Sequence, residues 1–270
     1  RITEILCDGL DEVIRSTNCW VMTNGFDGGL PRLIGSVVRK SGINVPIIGV
    51  APWDKVKGAD QLELDRSFGA TISYNAVELG QQSGAAVRTR EAGGGASTLA
   101  SDALYMNSDH THFIFVDSSD PGSGKKLGYN TAMQPRLVDA YTDRKKLPVV
   151  MLVVQGGLTT LDSVLTAAHG STPIIIVVGS GGAADAINKA VFGDVDDGTE
   201  AELFEEENAE YEYKPFRTPE AAKKLATLRK LHESHDRVLI TPFDWQTDEQ
   251  DTLSTVMLEA IVRILCRSQK

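Results

Sequence analysis

Short apolar segments that alternate with helical patterns constrain this fold more than any other feature. Six segments have the length and composition of buried strands, at residues 19–23, 45–50, 112–116, 148–154, 172–178 and 237–241. Helical periodicity is found at residues 2–16, 30–38, 135–144, 160–168, 183–192, 219–234 and 248–265. Such alternation predicts an α/β fold in which a parallel sheet carries helices on both faces.

The length of 270 residues suits one α/β domain with elaborations. We predict a core over residues 1–192, interrupted at about residues 55–99 by an irregular excursion with three consecutive glycines and little periodicity. Residues 193–216 are expected to form an acidic flexible loop. Residues 217–270 are expected to complete the same domain.

Acidic residues outnumber basic ones, 37 to 27, which gives a net charge of −10. This balance argues against nucleic acid or an anionic membrane as the main partner. Ten of the acidic residues lie in residues 194–212, which contain no Lys or Arg, so the rest of the chain has 27 residues of each sign. The acidity therefore belongs to one segment, and it does not exclude an anionic ligand.

Membrane and redox signals are weak in this sequence. No apolar run approaches the roughly 18 residues of a membrane span, so we expect no direct membrane insertion by this segment. The three cysteines are widely spaced and form neither a CxxC pair nor a zinc-ligand pattern. We therefore expect a reducing compartment.

The residues that follow the predicted strands share a composition. In an open parallel sheet, ligands bind at the carboxyl ends of the strands. Three of these ends are glycine turns that lead into a helix, whose N-terminus offers free N–H groups to a phosphate. One such turn is weak support, but three on one edge favour a nucleotide or another phosphorylated ligand. The strand-end residues are Thr23, Asn24, Gly25, Ala51, Pro52, Trp53, Asp117, Gly156, Gly157, Gly179, Ser180, Gly181 and Gly182.

Two well-known nucleotide signatures are missing from these turns. No Gly-Lys-Ser or Gly-Lys-Thr follows any of them, so a Walker A loop is excluded. Residues 25–29 lack the spacing of a dinucleotide fingerprint, and no acidic residue ends the second strand. ATP hydrolysis and hydride transfer are therefore disfavoured.

Five motifs in one order resemble the melastatin-type transient receptor potential (TRPM) channel family. Residues 20–30 resemble W-x-x-T-G-G-x-x-x-G, residues 48–53 resemble I-G-I-A-P-W, and residues 110–117 resemble H-T-H-F-I-L-V-D. Residues 148–157 resemble P-x-V-x-L-V-x-E-G-G, and residues 178–185 resemble E-G-S-G-R-x-A-D. In this chain Asn24, Gln155 and Gly182 stand where the motifs have Gly, Glu and Arg.

The resemblance implies a Rossmann-like fold of the SLOG class that lies before the membrane part of a cation channel. It implies a cytoplasmic, ligand-sensing domain of a plasma-membrane protein, with the rest of the channel chain and neighbouring subunits of a tetramer as partners. The ligand expected from the ADP-ribose-gated members is ADP-ribose or a related nucleotide, with no other cofactor. Calcium transport would belong to the whole channel.

The same resemblance adds ligand-binding residues to the strand ends. In the ADP-ribose-gated members a tyrosine and an arginine seven residues apart contact the nucleotide, and Tyr129 and Arg136 have that spacing here. Stacking on adenine suits a tyrosine, and a bidentate clamp on a diphosphate suits an arginine. The glycine turns add Gly28, Gly29 and Thr159.

Two alternatives to a sensor remain open. Phosphoribohydrolases of the SLOG class carry P-G-G-x-G-T-x-x-E, whose glutamate is catalytic, but Ser163 occupies that position here and Asp162 is only adjacent. Because no carboxylate is placed as general acid or base, we expect binding without turnover and no catalytic residue. The other alternative is a structural assembly module whose pocket has decayed.

Histidines suggest little further chemistry. His110 and His112 alternate along a strand entrance and are expected to face the same side, but no cysteine or carboxylate completes a metal site. We therefore predict no metal. His232 and His235 lie at a polar helix end and are expected to be solvated.

Overall fold

The computed structural model describes residues 2–59, 62, 104–116, 137, 147–193, 216–246 and 252–267. The chain divides into two compact units. The first unit is Trp20–Lys126, and the second unit combines Arg1–Cys19 with Leu127–Lys270. The predicted division at residues 192 and 216 stays a prediction.

The described helices and strands alternate along most of the chain. The helices are α1 (Ile2–Thr17), α2 (Gly29–Ser41), α3 (Leu158–His169), α4 (Gly182–Phe192), α5 (Pro219–Ser234) and α6 (Leu253–Arg267). The strands are β1 (Val21–Thr23), β2 (Ile47–Pro52), β3 (His112–Val116), β4 (Met151–Val153), β5 (Ile174–Val178) and β6 (Ile240–Asp244). A single turn of 3₁₀ helix, Trp53–Lys55, follows β2.

The sheet of the first unit is parallel and has the order β1-β2-β3. Thr23 lies opposite Gly49, and Val50 lies opposite Ile114, so the carboxyl ends of the three strands share one edge. Helix α2 buries Ile34, Val37 and Val38, whose spacing forms one apolar stripe. This arrangement places the turn after β1 next to the end of β2.

The sheet of the second unit is also parallel and has the order β4-β5-β6. Its central strand β5 buries three consecutive isoleucines, as expected for a strand covered on both faces. Leu161 of α3, Ile187 of α4 and Leu225 of α5 pack in one core with this sheet. Full burial of such a side chain stabilises the fold by about 1.5–3 kcal/mol, so this core holds the helix N-termini close to the strand ends.

Three further interactions stabilise α5, α1 and α6 in the second unit. Thr218 caps α5, since its hydroxyl accepts the N–H of Ala221 at 3.2 Å. Helix α1 packs on α6, where Gly9 leaves room for the side chain of Leu253. The hydroxyl of Ser254 donates to the carboxylate of Glu12 across the same pair of helices.

Parallel sheets flanked by helices confirm the predicted α/β, Rossmann-like fold. All six predicted strands are present, although β4 and β6 each begin three residues later than predicted. The described strands form two three-stranded sheets. The predicted helix at residues 135–144 and most of the excursion at 55–99 lie outside the described residues.

None of the helices in the described part of the chain combines the length and the hydropathy needed to cross a bilayer.

Candidate functional site

The turn between β1 and α2, residues 23–29, is named the β1 turn. Its own side chains hold its backbone. The Thr23 hydroxyl accepts the N–H of Gly25 at 2.9 Å, and the Asn24 carboxamide oxygen accepts the N–H of Phe26 at 3.1 Å. Asparagine is well suited to such a local bond, so Asn24 has a structural role where the family motif has glycine.

A row of polar side chains, all buried except the exposed Asp27, lies beneath the β1 turn. Thr23 Oγ1 is 2.7 Å from His110 Nε2, and His110 Nδ1 is 2.9 Å from Asn107 Oδ1. Asn107 Nδ2 then donates to the Asp27 carboxylate at 2.9 Å. Burial lowers the pKa of His110, and the neighbouring Asp109 carboxylate opposes that shift. These four side chains, Thr23, His110, Asn107 and Asp27, are called the polar row.

The far end of the β1 turn is open. Gly28 and Gly29 are exposed, and a Cβ on either would meet no described atom within 4 Å. Helix α2 has no side-chain cap at Gly28 and no acidic residue in its first turn. Arg32 is exposed in that turn and lies 3.6 Å from the Asp27 carboxylate. A helix N-terminus of this kind favours an anion.

The ends of β2 and β3 add apolar walls to the first unit. Ala51 and Pro52 are buried. Trp53 is half-buried, and its ring meets Phe115 edge to face at 5.1 Å between centroids. A side chain of the Trp53 type offers an aromatic face and an indole donor.

The turn between β5 and α4, residues 179–182, is named the β5 turn. It is filled by a carboxylate of its own chain. Asp185 accepts the N–H of Gly179 at 2.6 Å and the N–H of Gly181 at 3.0 Å. The Ser180 hydroxyl donates to the Val177 carbonyl at 2.6 Å and accepts the N–H of Gln155 at 2.9 Å. The donors that a phosphate would use are therefore already paired.

The turn after β4, residues 155–157, docks onto the start of α4 and is named the β4 turn. The N–H of Ala183 donates to the Gly156 carbonyl at 2.9 Å, and the N–H of Ala184 donates to the Gln155 carbonyl at 3.1 Å. Gly182 has a φ of +59°, and a Cβ there would overlap the Gly156 carbonyl oxygen. This backbone therefore has no room for the arginine of the family motif at position 182.

One donor close to the β5 turn lacks a partner. The indole nitrogen of Trp245 is buried and has no hydrogen-bond acceptor among the described residues. It lies close to Gly179, since a Cβ on Gly179 would be 3.2 Å from it. Thr159, on the first turn of α3, is half-buried, and its carbonyl accepts the Ser163 hydroxyl at 3.2 Å.

The predicted site residues fall into three groups. The first unit brings together Thr23, Asn24, Gly25, Gly28, Gly29, Ala51, Pro52 and Trp53 at one sheet edge. The second unit brings together Gly156, Gly157, Thr159, Gly179, Ser180, Gly181 and Gly182 at another. Asp117, Tyr129 and Arg136 lie outside the described residues, and their contacts stay predictions.

Sequence reasoning missed three side chains that shape these edges, Asn107, Asp185 and Trp245, and considered His110 only as a metal ligand. The signal for Asp185 was present, because an acidic residue in the first turn of a helix often accepts free N–H groups. His232 was wrongly expected to be solvated. It is buried on the same face of α5 as Leu225 and Leu228, and its Nδ1 accepts the N–H of Ile240 at 3.1 Å.

The position aligned with the phosphoribohydrolase glutamate is closed. Ser163 is buried, and its hydroxyl turns back to its own helix. The adjacent Asp162 carboxylate lies 2.7 Å from the Lys224 ammonium. The hydrogen bonds that the Lys224 ammonium donates to Asp162 and, as a smaller contribution, to Glu220 raise the pKa of Lys224, and burial opposes that shift. In the described residues no group of three or more His, Cys, Asp or Glu is arranged to hold a metal ion.

Parallel strands that end in glycine turns next to helix N-termini define a Rossmann-like α/β domain. The family model described as SLOG in TRPM matches residues 1–227, and the chain belongs to that family. The resemblance predicted from the five motifs is thereby confirmed.

Individual relatives agree with the family. Member 2 of the transient receptor potential cation channel subfamily M from Mus musculus is 25% identical over 276 residues, which are 97% of this chain and 17% of that protein. Human member 5 is 25% identical over 289 residues, 99% of this chain and 22% of its own length. Human member 7 is 24% identical over 281 residues, 97% of this chain and 14% of its own length. The chain thus spans less than a quarter of each of these relatives.

Proposed function

We propose that this chain is a cytosolic ligand-sensing domain of a melastatin-type cation channel and that it binds ADP-ribose or a related nucleotide. Family membership over residues 1–227 and the names of the relatives support the channel context. Ligand binding would favour one conformation of the domain, and the rest of the channel and its neighbouring subunits, expected to form a tetramer, would respond to that shift.

The open N-terminus of α2 is the observation that carries the ligand proposal. Gly28 and Gly29 leave its backbone accessible, and Arg32 adds positive charge beside it. A diphosphate fits this combination, because N–H donors and a guanidinium both favour anionic oxygens. Tyr129 and Arg136 would supply further contacts, as the family resemblance implies.

Binding without turnover is part of the proposal. A hydrolase of this fold needs a general acid or base at the position that Ser163 occupies. Ser163 is buried, and the carboxylate of Asp162 is engaged by Lys224. Incubation with AMP and ADP-ribose should therefore release no free base or ribose phosphate at an enzymatic rate, and such a release would overturn this part of the proposal.

A second candidate, a structural assembly module, is favoured by the β5 turn. Its Gly179 and Gly181 donors are already paired with Asp185, as expected where no ligand binds. Under this alternative the family fold is kept for its contacts with the rest of the channel, and nucleotide binding is absent.

Calorimetry with ADP-ribose separates the two candidates. We expect the wild type to bind, Arg136→Ala to lose most of the affinity, and Arg32→Gln to weaken binding about tenfold, since a charge-assisted hydrogen bond contributes about 1.5–3 kcal/mol. Arg263→Gln is the matched control, because Arg263 is likewise exposed and paired with a carboxylate, 3.0 Å away on α6. Absence of binding by the wild type would refute the sensor proposal and favour the assembly module.

A further inference from the structure

His110 connects the first residue of the β1 turn, Thr23, to Asp27 later in the same turn. This connection has no part in the proposed function. Its ring lies between Thr23, where β1 ends, and Asn107, whose side chain reaches Asp27 near the start of α2. Both His110 and Asn107 are buried, so the hydrogen bonds in the middle of the row are not exchanged for bonds to water without cost. The polar row therefore braces residues 23–27 from below.

The hydrogen bonds of the polar row assign its protons. Asn107 Nδ2 donates to the Asp27 carboxylate, so Asn107 Oδ1 is the acceptor that faces His110 and the N–H of Asp109. An oxygen acceptor at 2.9 Å requires a proton on His110 Nδ1. The neutral ring then accepts at Nε2, and the Thr23 hydroxyl donates to it while its oxygen accepts the N–H of Gly25.

Helix α2 presses on the same row from the other side. Gly35 lies so close to it that a Cβ would be 2.6 Å from Asn107 Oδ1 and 2.8 Å from the Asp109 side chain. Asn107 therefore has little freedom to rotate away from His110. The row also connects the β1 turn to the helix that follows it.

A proton on Nε2 removes the acceptor of the Thr23 hydroxyl and leaves a buried positive charge. The charged groups on the elements around the ring are Asp109 in its own turn, paired with Arg39 at 3.1 Å, and Asp27, close to Arg32. Each carboxylate already has a cationic neighbour, and the Asp109 charge offsets only part of the cost of burying a charged ring. Burial accordingly lowers the pKa of His110.

We infer that His110 is a positioning residue that holds the β1 turn in its binding conformation only while its ring is neutral. Uptake of a proton releases Thr23 and Gly25, and the turn then loses the backbone geometry that a nucleotide needs. Only the effect on nucleotide binding rests on the proposed function, since the coupling of His110 to the β1 turn is independent of any ligand.

The coupling can be measured without a ligand. Asn-Gly occurs once in the sequence, at Asn24-Gly25, so labelling with ¹³C′-Asn and ¹⁵N-Gly gives a single amide signal for Gly25. Over about pH 7.5 to about pH 5, this signal should follow the titration of His110. His110→Gln, which can still donate and accept, should abolish the transition, whereas His112→Gln should leave it unchanged.

Thr23→Ser and Thr23→Val provide an independent arm. Serine keeps the hydroxyl and should keep the coupled titration, while valine removes it and should uncouple Gly25 from His110. A Gly25 signal that ignores His110 in the wild type would overturn the inference, and so would a transition that survives in His110→Gln.

Calorimetry then tests the functional part. We expect the affinity for ADP-ribose to fall at least about twofold from about pH 7.5 to about pH 5 in the wild type, and to stay constant in His110→Gln. A pH dependence that persists in His110→Gln would overturn the positioning role. No ADP-ribose binding at either pH would refute the proposed function, while the Gly25 titration would still decide the coupling.

Discussion

The β1 turn and the β5 turn have similar composition but opposite structures. Each follows a parallel strand, contains glycines and leads into a helix. The β1 turn is braced by side chains beneath it, and its end at Gly28 and Gly29 is open. The β5 turn is filled by the Asp185 carboxylate, and the start of α4 is covered by the β4 turn.

The comparison shows that glycines at a strand end serve two purposes. In the β1 turn they leave space above the backbone, and in the β5 turn they allow the backbones of two turns to come into contact. The N–H groups of residues 25–28 in the β1 turn are paired within the chain as well. What distinguishes the two turns is the start of the following helix, which is open at Gly29 of α2 and covered by the β4 turn at α4. A phosphate binds readily only at an open helix start.

The largest effect should come from adding a methyl group to the β5 turn, with the same change in the β1 turn as the control. Gly182→Ala would place a Cβ against the Gly156 carbonyl at a positive φ, and we expect a loss of about 3 kcal/mol of unfolding free energy. Gly28→Ala is the control, because Gly28 has an extended backbone and open space, and should cost less than about 1 kcal/mol. Urea unfolding measures both. Equal losses would contradict the distinction between a docked and an open turn.

Removing the carboxylate that fills the β5 turn should have the next largest effect. Asp185→Ala leaves the N–H groups of Gly179 and Gly181 without that acceptor, and we expect a loss of about 2 kcal/mol. Asp185→Asn should lose about half as much, because an amide offers one acceptor oxygen. Urea unfolding again provides the measurement, and an Ala variant as stable as the wild type would exclude this role for Asp185.

Acid should destabilise the second unit through His232, with a smaller effect. Burial, with a contribution from Arg237, lowers the pKa of His232 below its ordinary 6.5. The unfolded chain therefore binds the proton more readily, so the stability is complete above about pH 6.5 and is lost as the pH falls through the lowered pKa. His232→Gln, which retains an acceptor for the N–H of Ile240, should reduce this loss.

The fluorescence of Trp245 in a Trp20→Phe, Trp53→Phe background would report unfolding of the second unit alone, because Trp20 and Trp53 belong to the first. An acid sensitivity that is identical with and without His232 would assign it to other groups.

The smallest effect should come from the two ion pairs of Lys224, one that joins α5 to α3 and one within α5. Lys224 contacts Asp162 at 2.7 Å and Glu220 at 3.0 Å, but these carboxylates are partly or largely exposed. Lys224→Met should therefore cost less than about 1 kcal/mol and become neutral in high salt. Thermal unfolding at two salt concentrations would show this. If Lys224→Met lost as much unfolding free energy as Asp185→Ala, the contacts of this lysine would matter as much for stability as the filled β5 turn.

The strands and their order of appearance could be predicted because buried parallel strands are short apolar runs that end in turn residues. The error at β6 has a local cause. Val238 and Leu239 extended the apolar run toward the N-terminus, whereas the strand continues through Pro242. Since β6 pairs only with β5 in its described sheet, a residue without an N–H is tolerated there.

The partners of polar side chains could not be predicted in the same way. That Asn107 reaches Asp27, 80 positions earlier, depends on how β3 pairs with β2 and on the space left by Gly35. The wrong prediction for His232 was avoidable, because its spacing from Leu225 and Leu228 places it on the buried face of α5.

Gly25 and Gly49 meet back to back, with the ring of Phe113 against both. A Cβ on Gly49 would lie 2.7 Å from the Gly25 backbone and 2.8 Å from that ring. Substitutions at these positions therefore cannot act independently, and a smaller residue at 113 would relieve only part of the overlap. In evolutionary terms the three positions must change together. A side chain at either glycine becomes acceptable only after a smaller residue has replaced Phe113 and strand β1 has moved away from β2.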